Sequence, residues 1–96
     1  MSRENLVLGE GVVLPDDVEV GANVVIHAGT VIGAGCVIQD NVVLGKSPKL
    51  ASRSTAKKKE LPGLVIAESV TVCSGAVVFA GSTIGARTVI GDQAFV

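Results

Sequence analysis

The sequence predicts an all-β protein in which very short strands wind into a parallel β-helix of about four to five coils, interrupted by one long excursion loop. Three observations predict this fold. A large aliphatic residue recurs every six positions, a smaller residue stands two positions before it, and turn-forming residues follow it. A six-residue period of this kind is typical of parallel β-helices.

The first run of large aliphatic residues begins near the N-terminus and keeps its period for seven steps. Its members are Leu8, Leu14, Val20, Ile26, Ile32, Ile38 and Leu44. The smaller series two positions earlier is Leu6, Val12, Val18, Val24, Thr30, Cys36 and Val42. Because side chains alternate along a strand, residues two apart point to the same side. Both series are therefore predicted to face inward, with one outward residue between them.

The same pattern returns after an interruption and continues to the last residue. The large residues are Ile66, Val72, Val78, Ile84, Ile90 and Val96, preceded by Leu64, Val70, Ala76, Ser82, Thr88 and Ala94. The repeat therefore covers most of the 96 residues. We expect one domain, residues 1–96.

Turn-forming residues recur in step with the aliphatic ones and predict a bend in every hexamer. Glycine follows the large residue at Gly9, Gly21, Gly33, Gly45, Gly85 and Gly91, and Gly, Asp or Asn comes two residues later at Gly11, Asp17, Asn23, Gly29, Gly35 and Asn41. These residue types tolerate positive φ. No turn pattern reverses the chain, so the strands must advance around a coil. A β-sandwich is the alternative, but its turn signals would come roughly every 8 to 12 residues.

The interruption from about Lys46 to Gly63 is predicted to be an irregular surface loop, because its residues have no period. It contains six cations and Glu60 as its one anion, a formal charge of +5. Since the whole chain carries −1, the remainder carries −6. A basic loop on an acidic body suits an anionic small molecule such as a nucleotide diphosphate or coenzyme A. The alternative is a solvated loop that lysines keep soluble.

Composition disfavours several other classes of protein. The chain has 48% hydrophobic residues but no apolar run of the roughly 18 to 20 residues that a membrane span needs. The N-terminus has no signal pattern, so we expect a cytoplasmic protein without a membrane partner. A net charge of −1 and the lack of an exposed aromatic pattern disfavour nucleic acid. Cys36 and Cys73 have no metal-ligand spacing and are interpreted as reduced packing residues.

His27 is the one histidine and the first candidate for chemistry. It follows an inward aliphatic residue, which predicts an outward position at a corner. If Ile66 takes the next side after Leu44, His27, Gly45 and Phe79 share one corner in successive coils. Histidine suits proton transfer near neutral pH, so His27 is a candidate general base for acyl transfer. The alternative is a plain polar residue, and one histidine argues against a catalytic zinc site.

Other candidates lie at the loop and near the C-terminus. Asp92 follows a glycine and is a candidate for hydrogen bonding a ligand, with turn closure as the alternative. Lys59, Glu60 and Pro62 end the loop, and Pro62 restricts how the chain re-enters the coil. A purely structural role for these loop residues is also open.

The hexads VGANVVIHAGTVIGAGCVIQDNVVLG resemble those of the bacterial hexapeptide-repeat acyltransferase superfamily. The resemblance implies a left-handed helix, against the right-handed rule for parallel crossovers. More narrowly, KKKELPGLVI followed by GAVVFAGSTIGARTVIGDQAFV is similar to nucleotide-sugar N-acetyltransferases, which acetylate an amino group on a dTDP- or UDP-linked sugar.

The resemblance implies a homotrimer with active sites between adjacent β-helices. It implies acetyl-CoA as cosubstrate, a nucleotide sugar as acceptor and no tightly bound cofactor or metal. By motif position, Asp92 and the loop end with Lys59, Glu60 and Pro62 would lie near the sugar nucleotide, and Lys46 is the candidate from the start of the loop. His27 is not clearly matched to a family base.

The chain also departs from the family pattern. Gly63 stands where a second proline is common, and Ala67 and Cys73 replace glycines or small polar corner residues. Such enzymes usually continue for several more coils, so we interpret the chain as a truncated or short member. A noncatalytic binding or assembly module is the alternative function. Self-assembly is expected in either case, because outward valines recur at Val25, Val31, Val37 and Val43.

Overall fold

A computed structural model describes residues 5–46 and 63–96, and these two ranges form eleven short strands. The strands are β1 Val7–Leu8, β2 Glu19–Val20, β3 Val25–Ile26, β4 Val31–Ile32, β5 Val37–Ile38, β6 Val43–Lys46, β7 Val65–Ile66, β8 Thr71–Val72, β9 Val77–Phe79, β10 Thr83–Ile84 and β11 Val89–Ile90. Neither range contains a helix that could cross a membrane.

The strands form three parallel sheets, which are the three sides of a left-handed β-helix. The first sheet contains β1, β3, β6 and β9, the second contains β4, β7 and β10, and the third contains β2, β5, β8 and β11. Isolated bridges at Val13 and Phe95 extend the second and first sheets by one position. From β2 onward consecutive strands lie on consecutive sides, and the Val13 bridge occupies the second side between β1 and β2, so the chain advances around the coil. The predicted fold class is therefore confirmed.

The strand register confirms that the interruption is inserted between two sides of the coil. Paired residues are normally 18 apart, as Val7 and Val25 are. Val31 instead pairs with Val65, so 16 additional residues lie between these two strands. Residues 47–62 are outside the described residues, and the predicted irregular loop stays a prediction there. The chain nevertheless leaves from the first sheet and returns in the second, as expected.

The two predicted inward series form the core. The large members are stacked in one column per sheet: Ile26, Leu44 and Val78 in the first, Ile32, Ile66 and Ile84 in the second, and Val20, Ile38, Val72 and Ile90 in the third. All are buried, and each burial contributes about 1.5 to 3 kcal/mol relative to exposure. Leu8 and Val96 keep the period but are exposed, because they lie in the first and last coils of the described residues.

The two cysteines are free, as predicted, and Cys36 is buried. Its thiol donates to the carbonyl oxygen of Ala67 in the next coil at 3.1 Å. The outward valines are divided among the sheets, with Val25 and Val43 on the first, Val31 on the second and Val37 on the third.

The bends follow the predicted positions with one exception. Positive φ occurs at Gly11, Asn23, Gly29, Gly35 and Asn41. The prediction for Asp17 was wrong, because the Val18 N–H bonds the Pro15 carbonyl at 3.3 Å, in a turn that needs no positive φ. The sequence pattern also missed Ser69, Arg87 and Gln93, which adopt positive φ without being Gly, Asp or Asn.

Three of the glycines that directly follow a large aliphatic residue, Gly9, Gly21 and Gly33, serve close packing and not the bend. A Cβ added at Gly33 would lie 2.6 Å from the carbonyl carbon of Ala67 and from the amide nitrogen of Glu68. The φ of Gly33 is not positive. The backbone of the following coil therefore crosses so near that a side chain would collide with it. Our interpretation of these glycines as bend residues was wrong for this series, with Gly45 as the exception.

Candidate functional site

The corner between the first and second sheets, here called the first corner, carries His27 and the start of the inserted segment. His27 directly follows β3, and Lys46 ends β6 in the next coil of the same sheet. Both side chains are exposed. The structure therefore brings two of the candidate site residues to one corner in adjacent coils, which are about 4.8 Å apart in a parallel sheet.

The backbone of His27 is held on both sides while its imidazole faces solvent. Its N–H donates to the Leu44 carbonyl at 2.9 Å, and its carbonyl accepts the Thr30 hydroxyl at 2.8 Å. The turn that follows His27 is therefore held by hydrogen bonds to Leu44 in β6 and to Thr30 within the turn itself. The outward corner position predicted for His27 is confirmed, and its catalytic role stays a prediction.

A β-bulge at Gly45 changes which residue lies opposite Phe79 at the first corner. Leu44 pairs with Val78, but the next pair is Lys46 with Phe79, so Gly45 is an extra residue with a φ of 75°. The prediction that Gly45 stacks below Phe79 was therefore wrong. Lys46 takes that place, because glycine adopts left-handed backbone at little cost and bulges re-aim the side chain that follows.

The inserted segment returns to the same corner. A Cβ added at Gly63 would overlap the carbonyl oxygen of Gly29 and lie 2.7 Å from its carbon. Residues 27–30 therefore contact both ends of the inserted segment, at Gly45 and at Gly63. Glycine at position 63, where the resemblance suggested proline, is explained by this contact. Lys59, Glu60 and Pro62 are outside the described residues, and their roles stay predictions.

Asp92 lies at a different corner, between the third and first sheets, here called the third corner. It follows β11, and the coils are linked there by Gly75 N–H to the Asp40 carbonyl at 3.0 Å and Gln93 N–H to the Ser74 carbonyl at 2.9 Å. Asp92 is exposed in the last coil. Within one chain it is separated from His27 by the full width of the first sheet, so the candidate residues do not converge in a single copy.

The third corner also carries polar residues that the sequence interpretation did not single out. A shallow groove of about 610 Å³ is lined there by Glu19, Gln39, Asp40 and Ser74 and by the third sheet. The Gln39 side-chain oxygen accepts from the Ser74 N–H at 3.1 Å, and the Asp40 carboxylate accepts from the Ala22 N–H at 2.7 Å. Counting 18 residues per coil would have brought Ala22 and Asp40 together from sequence alone.

Metal-ligating residues do not cluster in the described ranges 5–46 and 63–96. No group of three His, Cys, Asp or Glu side chains is placed there to bind a metal ion. Among the described residues, Glu10 lies one coil before His27 at the first corner and Lys46 lies one coil after it. The arrangement therefore offers a histidine between one acid and one cation.

Comparison with known proteins gives one match. Residues 11–46 match a family described as bacterial transferase hexapeptide, six repeats. The matched segment includes His27 and Lys46 and ends where the inserted segment begins. No curated protein and no solved structure matches the chain significantly. The match supports the resemblance to hexapeptide-repeat transferases over these six hexads.

Proposed function

We propose that this protein is an acyltransferase of the hexapeptide-repeat type, which transfers an acetyl group from acetyl-CoA to an amino group of a nucleotide-linked sugar. One observation carries the proposal. The histidine and the first cation of the basic segment share one corner, within the residues that match the bacterial transferase repeat. A proton acceptor and an anion-binding group are the two functions that this reaction needs.

The chemistry assigned to the first corner is a direct transfer. The acceptor amine attacks the thioester carbonyl, which forms the C–N bond and breaks the C–S bond. The His27 imidazole accepts the proton that the amine nitrogen loses and returns it to the departing thiolate. The products are an amide and coenzyme A with a free thiol, and His27 is left neutral. A positioned base of this kind contributes roughly 100-fold to 10,000-fold.

Charge supports an anionic substrate at this corner. Lys46 is exposed one coil from His27, and it opens a segment whose formal charge is +5 against −6 for the rest of the chain. The phosphates of coenzyme A and of a nucleotide sugar would each match this charge. We assign Lys46 to phosphate binding, and Lys59, Glu60 and Pro62 stay predicted contacts of the sugar nucleotide.

The outer face of the first sheet supports assembly into a homotrimer. Its outward residues are all apolar: Val7, Val25, Val43, Val77 and Phe95. The second sheet carries Thr83 in this column, and the third carries Glu19 and Thr71. The outer face of the first sheet has Lys46 at one edge and Asp40 and Asp92 at the other. Copies packed with parallel axes would therefore place the edge that carries Asp40 and Asp92 of one copy beside the edge that carries His27 of the next.

A noncatalytic assembly module is the second candidate, and exposed apolar surface favours it. Phe95 is 74% exposed and Val89 is 68% exposed, both in the last coil. Such residues on a short β-helix are typical of a surface that another chain covers. The two candidate functions share the assembly and differ in whether the first corner catalyses acyl transfer.

The test is acetyl transfer from acetyl-CoA to UDP- and dTDP-linked amino sugars, followed by thiol release and by mass spectrometry of the sugar product. We expect transfer to amino sugars and not to their hydroxyl counterparts. His27→Ala should lower turnover by about 100-fold. Cys73→Ala, at the same hexad position on the third corner, is the control and should keep full turnover. Assembly without any acetylated product would favour the module.

A further inference from the structure

Thr30 is unusual because it puts a hydroxyl into a column of apolar side chains. It is fully buried, and it is the one buried polar residue among those that the structure describes. The residues at the same place in the neighbouring coils are Val12 and Leu64. Burying a hydroxyl without a hydrogen bond costs about 1 to 3 kcal/mol, so the contacts of this group indicate what it contributes.

The Thr30 hydroxyl makes two contacts, and both belong to the first corner. It donates to the carbonyl oxygen of His27 at 2.8 Å. It also packs against Gly45, where an added Cβ would overlap the hydroxyl oxygen and lie 3.6 Å from the Cβ of His27. One buried group therefore contacts the backbone of His27 and the bulge that aligns Lys46 with Phe79.

Thr88 provides an internal comparison. Its hydroxyl donates to the Gly85 carbonyl at 2.7 Å, three residues earlier, which is the same local bond. Thr88 is exposed, however, and the Gly45 bulge lies at a different corner. The turn bond alone therefore requires neither burial nor contact with a bulge. Thr30 differs from Thr88 in its burial and in its contact with Gly45, the residue before Lys46.

We propose that Thr30 is a positioning residue for the first corner. Its hydroxyl orders the His27 backbone and supports the Gly45 bulge, and it thereby sets the position of Lys46 relative to His27. Thr30 does not touch the substrate and acts through Lys46. The expected effect of Thr30 on anion binding rests on the proposed function. Its effect on the coupling between Lys46 and His27 does not depend on any ligand.

The first measurement is coenzyme A binding by calorimetry in a double-mutant cycle. Thr30→Val keeps the side-chain volume and should weaken binding by about 10-fold, within the range of couplings between contacting residues. In a Lys46→Gln background the same change should weaken binding less than about twofold. Thr30→Ser should restore binding, and Thr88→Val should leave it unchanged. A residue with only a general structural role would weaken binding equally in both backgrounds.

The second measurement needs no ligand. The imidazole proton resonances of His27 are unambiguous, because the chain has one histidine. They should shift when Lys46 becomes Gln, and this response should be lost in Thr30→Val but kept in Thr88→Val. A response of equal size in Thr30→Val would overturn the inference. If the wild type binds no coenzyme A, the proposed function fails, and this resonance experiment alone decides the role of Thr30.

Discussion

The first and third corners are built from the same repeat and use polar residues in opposite ways. At the third corner, side chains bond the neighbouring coil: Asn5 to Asn23 at 2.8 Å, Asp40 to the Ala22 N–H, and Gln39 to Ser74. At the first corner, the coils are linked by backbone bonds, and the buried Thr30 hydroxyl bonds within its own turn and packs against Gly45 of the next coil. At the first corner, the exposed polar side chains do not hold the coils together. They are therefore available to bind a substrate or to take part in catalysis.

The contact between Gly63 and Gly29 provides the strongest way to disrupt the first corner. Gly63→Ala should destabilise the protein by about 2 to 3 kcal/mol, the usual cost of overpacking, because the added Cβ would overlap the Gly29 carbonyl. Gly91→Ala is the matched control, since a Cβ there would meet nothing within 4 Å. Chemical denaturation measures the free energy of unfolding of both variants. Equal stability of the two variants would contradict the close contact at the first corner.

The apolar face between the two corners should carry self-association. We expect a trimer by sedimentation at micromolar concentration. Val43→Asp places a charge at the centre of this face and should raise the dissociation constant more than about 100-fold, because an unpaired charge would be desolvated. Thr71→Asp, at the same outward position on the third sheet, should keep the trimer. Dissociation by both variants would place the interface elsewhere or indicate loss of the fold.

Lys46 should distinguish the first corner electrostatically. Lys46→Gln should weaken coenzyme A binding by about 10-fold at low salt, and the difference should shrink as ionic strength rises. Arg87→Gln removes an exposed cation from the corner between the second and third sheets and should change binding less than about twofold. Calorimetry at two salt concentrations measures the affinity of both variants for coenzyme A. Similar losses in both variants would mean that only net charge matters.

The side-chain bonds of the third corner should contribute modestly to stability and nothing to transfer. Asp40→Ala removes the 2.7 Å bond to the Ala22 N–H and should cost about 1 kcal/mol, a typical value for one hydrogen bond. Asp16→Ala, an exposed carboxylate at the corner between the second and third sheets, is the control and should be nearly neutral. A loss of acetyl transfer in Asp40→Ala trimers would mean that Asp40 itself takes part in the site.

Much of the fold was predictable because it depends on a period that each strand repeats. The columns that contain Ile26, Ile32 and Ile38 follow from counting by six, and so does the corner position of His27. The bulge at Gly45 could not be predicted, because glycine occurs at that hexad position with and without positive φ. Only the contact with Thr30 and the register of Lys46 with Phe79 separate this glycine from Gly33.

The sequence by itself determined which side chains face inward, how many residues interrupt the coil and where His27 lies. These properties are local, because alternation along a strand and the length of the repeat act on neighbouring residues. The tertiary structure decided that Lys46 and not Gly45 lies opposite Phe79, that Gly63 contacts Gly29, and that Asp92 lies at the opposite edge of the first sheet. Such relations arise between residues many positions apart, and they exist only once the coils are stacked on one another.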